Sequence, residues 1–81
     1  MSPEARITLI GRPGCHLCDA AREVIERVCA DTGEAFVELD LDEHDDLPAS
    51  YADEIPVTLV DGRQHDFWRV DEARLRAALA R

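Results

Sequence analysis

The stretch Arg12-Pro13-Gly14-Cys15-His16-Leu17-Cys18 decides how this chain reads. It joins an apolar run, Ile7-Thr8-Leu9-Ile10, to a segment whose apolar residues recur every three or four positions, so a C-x-x-C pair falls where a strand hands over to a helix. A helix start leaves its first backbone N–H groups without carbonyl partners and carries the positive end of the helix dipole. Both features favour a thiolate over a thiol. A free cysteine, with a pKa of about 8.5, is only about 3% thiolate at neutral pH, whereas helix N-termini and C-x-x-C motifs bring that pKa to about 3.5–7.5. Cys15 is therefore the expected nucleophile. Cys18, one turn further in and expected to be more buried, is the resolving thiol.

Working outward, the helix after the motif places Leu17, Ala21, Val24, Ile25, Val28 and Cys29 on one face and Arg22, Glu23, Glu26, Arg27 and Asp31 on the other. Gly33 stands where a helix-ending glycine would, so the helix stops near Asp31 or Thr32. Cys29 lies about 16 Å beyond Cys18 along the helix axis, too far for a disulfide, and reads as a small core residue. Upstream, Ile7–Ile10 is apolar nearly throughout, as in a central strand covered on both faces. Downstream, Ala35–Leu41 alternates, with Val37, Leu39 and Leu41 on one face and Glu38 and Asp40 on the other. With a helix between them, these two strands are expected to be parallel and joined by a right-handed crossover.

Asp42–Glu54 is acidic and holds Leu47 and Tyr51 four apart, which predicts a short helix capped by Asp46 or a neighbour, with His44 exposed. Ile55-Pro56-Val57-Thr58-Leu59-Val60-Asp61-Gly62 reads as a third strand led by a proline and ending in a primed hairpin turn. Arg63–Trp68 returns as a polar edge strand. Asp71 caps a last helix whose inner face carries Leu75, Ala78 and Leu79. Phe67 and Trp68 either line a partner groove or complete the core, and at least one is expected in the core.

An 81-residue chain is one domain, residues 1–81, with a single modest core. Its 18 acidic residues against nine arginines and no lysine give a net charge of −9, which disfavours nucleic-acid binding because phosphate contact needs a basic face. No apolar run is long enough to span a bilayer, and Met1–Arg6 has no basic segment followed by an apolar stretch. A cytoplasmic monomer without membrane contact is expected. In that compartment structural disulfides are rare, and a cysteine pair is catalytic or metal-binding.

With Cys15-His16-Leu17-Cys18 opening the first helix, Ile55-Pro56 opening the third strand and Val60-Asp61-Gly62 following, the chain resembles the glutaredoxin-like branch of the thioredoxin-fold family over essentially its whole length. The resemblance implies an α/β thioredoxin-like fold: a four-stranded mixed sheet in the order β-α-β-α-β-β-α with helices on both faces. It implies a thiol–disulfide oxidoreductase in which Cys15 attacks and Cys18 resolves. It also implies that Pro56 is the family's cis-proline, beside the cysteines, leaving the Ile55 backbone free to pair with an extended substrate segment. Read without the resemblance, Pro56 is a trans proline opening a strand.

By the same resemblance Arg12 falls where a basic residue supports the thiolate and a glutathione carboxylate; the alternative is a solvated loop arginine. His16 falls where a protonated imidazole would lower the Cys15 pKa further; the alternative is a histidine facing water. The implied substrates are disulfide-containing proteins or low-molecular-weight disulfides. The implied reductant is glutathione, another small thiol or a flavoprotein, with no bound cofactor.

One departure counts against glutathione. Phe67-Trp68-Arg69-Val70-Asp71 stands where glutaredoxins carry paired glycines and an aspartate, and only Asp71 matches. Two other readings stay open. One is a redox-silent module that holds a partner at Ile55-Pro56. The other is a C-x-x-C metal site drawing on His16, His44, His65 or Cys29, none of which sits at a recurring ligand spacing. No metal is expected.

Overall fold

β1 (Ile7–Gly11) pairs in parallel with β2 (Phe36–Asp40) and antiparallel with β3 (Val57–Val60), and β4 (Arg63–Phe67) pairs antiparallel with β3, giving the order β2-β1-β3-β4. The structure is a computed structural model that describes residues 5–80. Residues 1–4, part of the segment read above for a leader, and residue 81 lie outside it. Two α-helices complete the fold, α1 (His16–Thr32) and α2 (Glu72–Leu79). The parallel β1–β2 pair with α1 between, and the four-stranded mixed sheet, are as expected.

Local chemistry explains the boundaries. Gly33 ends α1 at φ 78°, a left-handed conformation glycine adopts without steric cost, and its N–H returns to the Cys29 carbonyl. Asp61 and Gly62 both have positive φ, 53° and 82°, as a two-residue type I′ hairpin turn requires. The Asp71 side chain caps α2 by accepting the Arg74 N–H at 3.0 Å.

The core lies between the sheet and both α-helices. Ile7, Leu9 and Val60 face Ala21, Ile25 and Val28 of α1 and Leu75 and Leu79 of α2. Ile10 and Val57, pointing the other way, are also fully buried.

The 41–54 connection departs from expectation. In place of one short helix capped near Asp46 it forms two 3-10 turns, Leu41–Glu43 and Ala49–Asp53. Asp40 caps the first, accepting the Asp42 N–H at 2.9 Å. Pro48, which has no N–H and pushes the residue before it towards extended backbone, separates Leu47 from Tyr51 and opens the second. His44, expected exposed, is half-buried.

Strand β2 differs as well. Its alternation is as read, but the face meeting the helices is the one with Phe36 and Glu38, and Val37 is 46% exposed. As an edge strand β2 is covered mainly by α1, and Glu38 there is neutralised by Arg22 of α1, with Nη2 to Oε2 at 2.6 Å and Nε to Oε1 at 2.7 Å.

Arg6 ties the ends of the fold together. Its guanidinium makes a two-pronged bond to Asp61 (both 2.9 Å) and donates to Glu34 (3.0 Å) and to the Leu79 carbonyl (2.9 Å). Arg27 and Arg76 likewise converge on Glu72. The first cause in each case is the arginine hydrogen bond, which holds the carboxyls of Asp61, Glu38 and Glu72 below their ordinary values of 3.8 and 4.5.

A carboxyl whose folded pKa is depressed contributes stability that is present above its unfolded pKa and is lost as pH falls through the folded value. Urea midpoints should therefore decline below about pH 4, and Arg6→Ala should shrink that acid-induced decline by removing the share of Asp61. A midpoint that rises on acidification from about pH 4 to 3 would contradict this linkage.

Candidate active site

Cys15 is the N-cap of α1, at φ −93° and ψ 112°, and its Sγ accepts the backbone N–H of Cys18 at 3.2 Å. The sulfur thus takes the place usually held by a serine or aspartate oxygen at a helix start. Cys15 and Cys18 form a close pair, with Cα atoms 5.2 Å apart, inside the span a disulfide requires. Cys18 is 1% exposed, whereas Cys15 is only partly covered. A half-buried cysteine at the helix start backed by a fully buried one is the arrangement the motif's position predicts.

Gly11 is what lets the buried sulfur sit there. It is the last residue of β1, buried and paired with Asp40, and a Cβ built on it would stand 2.6 Å from Cys18 Sγ and 3.3 Å from Cys18 Cβ. From sequence alone Gly11 reads as the first residue of a loop. The signal for its role is faint, since only its place at a strand end facing the helix marks it.

The Ile55–Pro56 peptide bond is cis, as the resemblance implies. Ile10 pairs with Val57, so the antiparallel register carries Pro56 to the level of Gly11, at the end of the sheet where Gly11 meets Cys18. The Pro56 carbonyl accepts the Trp68 N–H at 2.8 Å. Ile55 is half-buried beside it.

Arg12 and His16 both lie at the surface. Arg12 is exposed and bonds Asp42, Nε to Oδ1 at 3.0 Å; it makes no hydrogen bond to Cys15. His16 is exposed in the first turn of α1. Cys29 is a free thiol packed against the core, and burial pushes its pKa up, away from thiolate chemistry. Among the described residues no group of three or more His, Cys, Asp or Glu is arranged to hold a metal ion. No helix among them is long and apolar enough to cross a membrane.

Trp68 is one of two neighbouring aromatic residues that the sequence leaves between a partner groove and the core. Phe67 and Trp68 are both exposed, 45% and 53%, against the expectation that at least one fills the core. β4 ends at Phe67, and Trp68 turns away from the strand at φ 62°. The two rings meet edge to face, with centroids 5.0 Å apart and planes at 76°.

A helix-capping cysteine pair set against a mixed sheet, with a cis-proline at the same end, defines a thioredoxin-like protein. More narrowly, the model of the family described as Glutaredoxin-like domain (DUF836) matches residues 6–80, and the chain belongs to that family. A Mycobacterium tuberculosis relative named Uncharacterized protein Rv0508 is 36% identical over 81 residues, covering 94% of this chain and 84% of its own length. Among solved structures, the target protein XcR50 from X. campestris is similar with a TM-score of 0.72 and 36% identity, over 91% of this chain and 95% of that one. A mutant thioredoxin from Halobacterium salinarum is similar with a TM-score of 0.58 and 25% identity, over 90% of this chain and 71% of its own.

Proposed function

We propose that this chain is a thiol–disulfide oxidoreductase that works through a Cys15–Cys18 dithiol. The observation that carries the reading is the sulfur of half-buried Cys15 accepting the Cys18 N–H at the start of α1 while lying within disulfide reach of a buried partner. Hydrogen bonding to the charged form and the positive helix end both favour the thiolate.

In the proposed cycle the Cys15 thiolate attacks one sulfur of a substrate disulfide. The Cys15–substrate bond forms, the substrate S–S bond breaks, and the released thiolate takes up a proton. Cys18 then loses its proton and attacks Cys15 Sγ, forming the Cys15–Cys18 disulfide and freeing the second substrate thiol. Two electrons pass from the dithiol to the substrate. The electrons reside in the cysteines, so no bound cofactor takes part, and an external thiol or flavoprotein reductant reopens the pair. Cytoplasmic thiol pools fit that requirement.

The Ile55 backbone, next to the cis-proline, lines up an extended stretch of the substrate, and His16 stands at the exposed rim. Arg12 enters only if it leaves Asp42. The test is turnover: with dithiothreitol as electron donor, the protein should reduce hydroxyethyl disulfide and a protein disulfide well above the uncatalysed rate. Equality with the uncatalysed rate for both substrates would remove the proposal.

A further inference from the structure

Trp68 holds a backbone conformation that non-glycine residues seldom adopt, at φ 62°. Such outliers persist where the surroundings over-determine them, and they cluster at clamps and binding sites. Here three hydrogen bonds do so. The Trp68 N–H is shared between the carbonyls of Pro56 (2.8 Å) and Glu54 (3.2 Å), and the indole Nε1–H donates to the Asp53 carbonyl at 3.0 Å. The ring, braced edge to face by Phe67, is nevertheless 53% exposed. A large apolar ring is thus fixed in the open, where burial does not account for it.

Trp68 lines a groove of about 180 Å³ together with Leu17, Ala20, Ala21 and Val24 of α1. Leu17, 40% exposed, lies between the two cysteines of the motif. On the other side Trp68 is bonded to Pro56, at the sheet end where Gly11 packs Cys18. The groove is thus tied to the dithiol end of the fold through Leu17 of the motif and through Trp68, bonded to Pro56, and it has room for one large side chain. Its walls are apolar apart from Arg69. A prefixed aromatic wall costs little ordering entropy on binding and suits it to anchor a partner's side chain.

Charge narrows the occupant further. The chain carries −9 and no lysine, a field that repels an anionic disulfide such as glutathione disulfide and favours a neutral or basic polypeptide. We propose that Trp68 and the groove it walls select polypeptide disulfides in which a large aliphatic or aromatic side chain stands beside the attacked cysteine, in preference to glutathione disulfide. This rests on the dithiol reading above and names its substrate class. The redox step is the one already balanced: one substrate disulfide becomes two thiols while the dithiol becomes the Cys15–Cys18 disulfide.

The experiment is a single turnover of pre-reduced protein, followed by alkylation and mass. The oxidants are disulfide-linked dimers of two short basic peptides that differ only in Leu or Ser beside the cysteine, and glutathione disulfide. Wild type should be oxidised at least about fivefold faster by the Leu peptide than by the Ser peptide, equivalent to about 1 kcal/mol, and slowest by glutathione disulfide.

Trp68→Gly, which accepts the positive φ, should bring the Leu/Ser ratio to about one. Leu17→Ser, in the same groove and exposed, should lower the ratio too and serves if Trp68→Gly folds poorly. Val37→Ser, an equally exposed apolar residue on β2 away from the groove, should keep it. A wild-type ratio near one, or a ratio unmoved by both groove variants, overturns the inference while leaving the oxidoreductase intact. No oxidation of the pair by any of the three disulfides overturns both.

Discussion

Cys18→Ser, challenged with a disulfide substrate, accumulates a mixed disulfide through Cys15, and Cys15→Ser accumulates none. The asymmetry follows from placement. Cys15 is half-buried and its Sγ receives the Cys18 backbone N–H, a donor that survives when the Cys18 side chain becomes serine. The attacking sulfur therefore keeps its thiolate-stabilising environment while the resolving sulfur is gone. Cys18, 1% exposed and pressed against Gly11, cannot meet a bulky substrate disulfide. Cys15→Ser loses turnover altogether because a serine oxygen cannot form a disulfide, whereas Cys18→Ser loses the internal resolving step and turns over only as fast as an external thiol opens its mixed disulfide. Mass spectrometry under non-reducing conditions, with tryptic mapping, reads the result. Trapping by Cys15→Ser as strong as by Cys18→Ser would reverse the assignment of roles.

Gly11→Ala should damage stability and chemistry together. The added methyl would stand 2.6 Å from Cys18 Sγ, and neither side can move away cheaply: Gly11 is held in the β1–β2 ladder opposite Asp40, and Cys18 is walled in. Overpacking of this kind costs about 1–3 kcal/mol, which in a domain of this size lowers the melting temperature by roughly 4–8 °C for each kcal/mol. Displacing the resolving sulfur also slows closure of the Cys15–Cys18 bond, so mixed disulfides should persist longer in the variant.

The control is a double-mutant cycle, measured by urea melts under reducing conditions. If the clash is with the Cys18 sulfur, Gly11→Ala in a Cys18→Ala background should cost much less than in wild type, with a coupling of at least about 1 kcal/mol. Additive costs would place the damage elsewhere.

The features legible in the sequence are those set by one or two neighbouring residues. A C-x-x-C pair between an apolar run and a helical period, a glycine after the last helical turn, Asp61-Gly62 between two strands and Asp71 before an apolar period each act locally, and each is found in its expected place. The cis state at Pro56 is different, since only the resemblance to a family points to it.

What stays hidden depends on distant parts of the chain. Arg6 reaches Glu34, Asp61 and Leu79, partners 28, 55 and 73 residues away, and no period announces that. Arg12 sits where a thiolate-supporting cation is expected, yet Asp42, 30 residues further along the chain, captures it. β2 alternates as read, but alternation does not say which face meets a helix, and an arginine on α1 holds Glu38 to that side. Trp68 reads as strand because its hydrogen bonds come from residues 53–56, which the local pattern does not show.

The measurement that bears most directly on the central claim is an equilibrium redox titration of the purified protein in graded thiol/disulfide buffers, with free thiols counted by mass after alkylation. A single two-electron transition that joins Cys15 to Cys18 while Cys29 stays alkylatable throughout is the expected result, and its midpoint states the direction in which the pair runs. Absence of a Cys15–Cys18 disulfide at every accessible potential, or a transition that consumes Cys29 instead, would contradict the account.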